Sequence, residues 1–312
     1  MSRICVYDEW GVLEETVLGT ASSVYFPGPH PIEAESRRSL GERLFKATLY
    51  GLTGGLRVPD FLRRRYVREL DAFAEVLDRH GVKILRPDDV HPTPDEPLGL
   101  GQMFSRDPLM AVGSELIEGR LQIGMRRKEN RGLHPRIAAL ADEGADVSTL
   151  TDEDACLEGG DVILDWPYVY VGIGKYASNL AGATWLQQRL GSRAQVVPVR
   201  LREASILHLD CCMTLTGPGR GIIHRPALQD PLPEPLNRYD FIDIDAETRR
   251  QMGGNILMLD PETIVVQRRH RALAETLTAR GLKVVPVAFT AHADLEGAFR
   301  CATAPLRRRR DG

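Results

Sequence analysis

What the sequence has little of narrows it first. Cysteine occurs five times in 312 residues, as Cys5, Cys156, Cys211, Cys212 and Cys301. The number is odd and no CxxC pair occurs, so the pattern encodes neither a disulfide scaffold nor a zinc or dithiol redox motif. Charge of one sign is not in excess: 40 Lys+Arg against 43 Asp+Glu leave a net charge of −3, which offers a polyanion such as nucleic acid no general attraction. Long apolar runs are missing as well. Charge, Gly or Pro interrupts each apolar stretch within about ten residues, well short of the roughly 20 that a membrane span needs. Met1 to Trp10 carries Arg3, Asp8 and Glu9 with no apolar core, so it does not read as an export signal. These absences predict a cytoplasmic protein with no nucleic-acid and no membrane partner. The 43% hydrophobic and 27% charged residues are those of a globular chain able to bury a large core.

One phrase recurs along the chain: a helix with apolar residues at helical spacing, a Gly at its end, then a short β-branched strand. It runs through Leu70 to His80 with Gly81 and VKILRP, and Ile137 to Asp142 with Gly144 and ADVSTL. It returns in Ala183 to Leu190 with Gly191 and AQVVPV, and in Ala272 to Arg280 with Gly281 and LKVVPV. Strand pairs separate these helices. They are Leu109–Val112 with Glu115–Glu118, Val162–Leu164 with Tyr168–Gly172, Met213–Leu215 with Gly221–His224, and Asn255–Leu259 with Thr263–Gln267, each split by a turn signal. The repeated order strand, strand, helix, strand predicts an α/β propeller in one domain over residues 1–312, its axis gathering the loops of successive units. Pro27 to Pro59 and Pro226 to Arg249 read as insertions or lids, and the run Arg307 to Arg310 reads as a solvated terminus.

Acids gather where strands meet turns: Asp107 in FSRDP, Glu158 and Asp161 in CLEGGD, and Asp210 in LHLD. Gly159 and Gly160 between two acids let the backbone approach another group closely just before an apolar strand. If ILHLDCC is a strand, His208 and Asp210 at i and i+2 share a face, and a carboxylate there orients the imidazole and favours its charged form. A metal reading of the same HxDCC stretch lacks a second ligand set at zinc spacing. Four cysteines sit in or beside apolar strand starts and read as packing residues. Cys301 differs: Arg300 precedes it, Arg307 follows, and DLEGAF leads into it, features that lower a thiol pKa and expose it.

Taken together, DEWGVLEETVLG, FSRDP, LEGGDV, SNLAGATWLQQRL, LHLDCCMTLTGPG, NILMLD with TIVV, and LEGAFRCATAPLRRR stand in the order found in the guanidino-group-modifying superfamily. The chain resembles that superfamily of arginine deiminases, dimethylarginine hydrolases and amidinotransferases over almost its full length. The opening, the SNLAG helix, HLD with GPG, NILMLD and the end near Cys301 are most similar to glycine amidinotransferase-like enzymes, whereas LEGGD resembles the deiminases and hydrolases. The resemblance implies a five-bladed α/β propeller of the pentein type that needs no metal and no cofactor. It implies Cys301 as nucleophile, His208 as general acid/base with Glu158 and Asp210 in the catalytic set, and Arg106, Asp107 and Asp161 in substrate binding.

On this resemblance the expected activity is transfer of an amidino group from arginine or a related guanidine, through an amidino-cysteine, to an amine. The alternatives are hydrolysis of such a guanidine, and a propeller that binds a cationic ligand without turnover. A small-molecule guanidine and an amine acceptor are the expected partners, and a homo-oligomer is compatible with everything in the sequence. Two departures from the family bear on substrate recognition: the turn GKYASN lacks the arginine that deiminases and hydrolases place there, and Glu296 stands where deiminases carry another.

Overall fold

The computed structural model describes residues 2–32 and 40–309. The four strand pairs are hairpins, and each adds a third, parallel strand that follows the next crossover. Leu109–Val112 and Glu115–Glu118 pair antiparallel, and Asp146–Thr149 joins Glu115–Glu118 in parallel. The same order holds for Val162–Asp165, Tyr168–Ile173 and Gln195–Arg200, and for Met213–Gly217, Arg220–Ile223 and Asp240–Asp243. It holds again for Leu257–Met258, Thr263–Gln267 and Lys283–Val287.

Local sequence explains these units. The helix Leu180–Leu190 starts at Asn179, whose side chain accepts from the Gly182 N–H at 2.9 Å, an N-cap that satisfies an otherwise orphaned donor. Helices Asp60–Arg79, His134–Asp142 and Arg271–Ala279 bury Leu70, Phe73 and Leu77, Ile137 and Leu140, and Leu273 and Leu277. Gly81, Gly144 and Gly281 follow them at φ of 74°, 91° and 90°, left-handed conformations that a Cβ would disfavour.

Two segments differ from the sequence reading. Pro226 to Arg249 is not only a lid: its Asp240–Asp243 stretch is the third strand of its sheet, reached through short 3-10 turns instead of a helix. The arginine-rich end is not a free tail: it is a paired strand in which Arg308 is buried and Arg309 exposed. Thr303–Arg309 pairs antiparallel with Val12–Leu18, which pairs in parallel with Lys83–Leu85, so the two ends of the chain build a fifth three-stranded sheet. Arg308 is buried there and donates to the Gly11 and Met258 carbonyls at 2.7 and 3.0 Å; Arg310 lies outside the described residues. Three apolar clusters fill the spaces between these elements, one of them including Phe73, Phe289, Phe299 and Cys301. Among the described residues no helix is long and apolar enough to cross a membrane.

Candidate active site

The loops that leave these sheets converge on a cleft of about 280 Å³, lined by Asp107, His208, Cys211 and Cys301 and rimmed by Met103, Phe104 and Ile206. Cys301 lies on the short helix Phe299–Ala302. The Nδ2 of Asn255 donates to its Sγ at 3.1 Å, while the Asn255 Oδ1 accepts from the backbone N–H groups of Arg300 and Cys301 at 3.1 and 3.2 Å. One asparagine thus fixes both the thiol and the turn that carries it.

His208 is held from the LEGGD segment. Its Nε2 pairs with Glu158 Oε2 at 2.8 Å, and Glu158 Oε1 accepts from the Gln122 N–H at 2.9 Å. The other ring nitrogen, Nδ1, lies 3.6 Å from Asp107 Oδ1, beyond hydrogen-bond reach. That Oδ1 is buried and has no hydrogen-bond partner among the described residues. The glycines permit this crowding: a Cβ on Gly160 would stand 2.6 Å from Asp107 Oδ1 and 2.7 Å from His208 Cγ. Burial opposes charge on His208, but Asp107, Glu158 and Asp161 outweigh it and hold the imidazolium well above its ordinary pKa.

The remaining acids are occupied. Asp161 Oδ1 accepts from Leu209 N–H at 2.8 Å and Oδ2 from Ser178 N–H at 3.0 Å; burial pushes its pKa up to about 7 against the pull of His208. Asp161 is therefore engaged in holding backbone beside His208. Asp210 Oδ2 accepts from Arg300 Nη1 at 2.9 Å and lies 3.6 Å from Cys301 Sγ. Arg300 also forks onto Glu9 of the opening DEWG stretch, with Nη2 to Oε1 at 2.9 Å and Nε to Oε2 at 3.2 Å. Burial works against charge on Glu9, yet Arg300, Arg106 and Arg308 draw its pKa down to about 2. Arg106 does not line the cleft: its Nε donates to the Arg300 carbonyl at 3.2 Å and one Nη has no partner. Burial and the nearby Arg300 lower its pKa to about 9.

Three expectations about local chemistry are corrected. His208 and Asp210 do not share a strand face, because Leu209–Cys211 is a 3-10 turn with His208 at its cap; Asp210 turns to Arg300 and Cys301 while His208 turns to Glu158. Arg300 does not activate the thiol, since its guanidinium is committed to Glu9 and Asp210. Cys301 is 3% exposed, and the neighbouring Cys211 thiol, burial and Asp210 raise its pKa well above the ordinary value. Cys211 is not merely packing, for it lines the same cleft.

Arg126 has no counterpart in the sequence reading. Its Nη2 donates to Asp107 Oδ2 at 2.9 Å and to Glu129 Oε2 at 3.0 Å, its Nε donates to Glu129 Oε1 at 3.0 Å, and Nη1 lies 3.8 Å from Glu158 Oε2. Asp107, Glu158 and His208 offer ligand atoms within 4.8 Å of one another, a spacing that a divalent cation could use. The guanidinium of Arg126 already neutralises two of the three, and His208 Nε2 is bonded to Glu158. The donor set is that of a buried ion network.

Similarity to known proteins places the chain among the guanidino-group-modifying enzymes, which are cysteine-dependent. Within that class the chain belongs to the N,N dimethylarginine dimethylhydrolase family, whose eukaryotic family model matches residues 58–308. It is 28% identical to inosamine-phosphate amidinotransferase 1 of Streptomyces glaucescens, over 99% of this chain and 97% of that protein. It is 25% identical to L-arginine:L-lysine amidinotransferase of Pseudomonas savastanoi pv. phaseolicola, over 99% of this chain and 95% of the relative. Its fold superposes on an amidinotransferase of the saxitoxin biosynthetic pathway from Microseira wollei with a TM-score of 0.85, at 21% identity and covering 99% and 98% of the two chains.

Proposed function

We propose that this protein is an amidinotransferase: it takes the amidino group of arginine or a related guanidine onto Cys301 and passes it to an amine. The observation that carries the reading is Asp107 Oδ1, buried without a hydrogen-bond partner among the described residues, 3.6 Å from His208 Nδ1 on a residue that lines the cleft together with Cys301. A buried acceptor without a donor is costly, and a guanidinium N–H is the donor that the chemistry of this site calls for.

A guanidinium is planar, delocalised and a weak electrophile until its N–H groups are gripped and its carbon is fixed over a nucleophile. In the resting site Cys301 is a thiol. A bound guanidinium adds a positive charge beside it and favours the thiolate, whose proton leaves to solvent. The thiolate attacks the guanidinium carbon, forming the C–S bond. His208 then gives its Nδ1 proton to the departing nitrogen as the C–N bond breaks, releasing the amine and leaving amidino-Cys301. The acceptor amine attacks that carbon, its proton passes to His208, and breakage of the C–S bond returns the thiolate. On this reading Glu158 orients and charges His208, Asp107 grips the substrate, Asp210 restrains the thiol, and Asp161 shapes the His208 loop. The five sheets are read as the blades of one propeller around the cleft.

Similarity to amidinotransferases over whole chain lengths favours transfer. Hydrolysis is the second reading, favoured by the matching family and by LEGGD. Incubation with arginine alone and with arginine plus amines separates them. Ornithine formed only when an amine is present supports transfer, whereas citrulline without an amine identifies a hydrolase. Mass spectrometry should find the amidino adduct on Cys301, and an adduct on Cys211 or Cys212 would overturn the assignment.

A further inference from the structure

Three arginines line the cleft among the described residues, and two are fully engaged. Arg126 is paired with Asp107 and Glu129, and its Nη1 lies 3.8 Å from Glu158. Arg250 turns outward, where Nε and Nη2 fork onto Glu247 at 2.9 and 2.7 Å. Arg249 is different. Its side chain is only 17% exposed, Glu203 pairs with it at 4.0 Å from Nη2, and among the described residues its buried Nε has no hydrogen-bond partner. A mostly buried guanidinium with only one long ion pair and an unbonded Nε is incompletely compensated, and its planar fork matches a carboxylate.

The backbone holds Arg249 there. Met252, which also lines the cleft, adopts a φ of 60°, a left-handed conformation disfavoured for a non-glycine residue. In this turn Met252 N–H donates to the Arg249 carbonyl at 2.8 Å, and Asn255 N–H donates to the Met252 carbonyl at 3.2 Å. Asn255 in turn holds the Cys301 thiol. One turn therefore carries both the residue that positions the nucleophile and the cleft arginine whose Nε is unbonded among the described residues.

We infer that Arg249 receives the carboxylate of the guanidine donor, so that the enzyme selects guanidino acids such as arginine over decarboxylated guanidines. The inference rests on the proposed function for the identity of the donor. The test compares arginine with agmatine, which differs by the missing carboxylate. The wild type should favour arginine in kcat/KM by about 10- to 100-fold, the range of a hydrogen bond to a charged group. Arg249→Gln should bring that ratio close to one, mainly through KM for arginine, Arg249→Lys should restore part of it, and Arg250→Gln should keep it. Equal use of the two guanidines by the wild type, or a ratio unaffected by Arg249→Gln, overturns the inference, as does an equal loss on both substrates. Calorimetric binding of arginine and agmatine to Cys301→Ser separates the two levels. An arginine preference that Arg249→Gln abolishes, with no amidino adduct on wild-type Cys301, would refute the proposed function and leave the role of Arg249 standing. No arginine binding at all would refute both.

Discussion

Replacing Glu158 with Gln tests the site where it is most tightly specified. The pair Glu158 Oε2 and His208 Nε2 is 2.8 Å apart, and the two residues are 1% and 2% exposed. Glutamine keeps the size and can still accept from the Gln122 N–H, but its amide either faces a ring N–H with another N–H or offers a neutral oxygen. Removing one partner of a buried ion pair costs about 3–5 kcal/mol. Asp107 and Asp161 remain as counter-charges for His208, so the lower part of that range applies to stability, while impairing the general acid lowers kcat/KM by about 10²- to 10⁴-fold. The pH profile should move as well. Glu158 helps hold His208 charged far above its usual range, so without it the imidazole loses its proton at lower pH, and the alkaline fall in activity begins earlier. Rates of ornithine formation between about pH 6 and pH 10 measure both effects, and urea unfolding reports whether the variant is folded. A folded Glu158→Gln protein within tenfold of wild type, with the same pH profile, would refute the assignment of His208 as the acid held by Glu158. Asp161→Asn should behave otherwise. Both Asp161 oxygens accept backbone N–H groups, and an amide can satisfy only one of them. Its first symptom should be a stability loss of about 1–3 kcal/mol.

Iodoacetamide should label Cys301 slowly at neutral pH and faster as pH rises beyond the ordinary thiol value of 9.0, because burial, Cys211 and Asp210 disfavour the thiolate; a labelling plateau near pH 7 would contradict this. Arg300→Gln should destabilise the protein by about 3–5 kcal/mol by leaving Glu9 and Asp210 buried without their cation, and Arg300→Lys should not rescue it, since one ammonium cannot fork onto two carboxylates. A denaturation midpoint close to wild type for either variant would contradict that account. Activity should survive exhaustive chelation, because Arg126 neutralises the acids that would ligate a cation; loss with EDTA and recovery with zinc would point instead to Asp107, Glu158 and His208 as a metal site.

Much of this architecture is written locally. Apolar spacing, helix-ending glycines and β-branched runs are properties of neighbouring residues, so four hairpins and three complete units of hairpin, helix and strand are legible from the sequence alone, while the third strand Asp240–Asp243 of the remaining unit is not; the ordered motifs point to Cys301, His208, Glu158, Asp107 and Asp210. Other features depend on partners far apart in the chain. The fifth sheet pairs Val12 with Arg309, a contact that no window around either residue contains. The strand read through His208 is a turn, because Asp161 and Glu158 capture its backbone and ring from another unit. Arg300, adjacent to the thiol in sequence, turns away from it because Glu9 and Asp210 offer a buried guanidinium two carboxylates. Arg126, Glu129, Arg249 and the orphaned oxygen of Asp107 carry no spacing signal at all. Charge sets what these side chains can do, but only packing decides which charges meet, which are cancelled, and which remain open to a substrate.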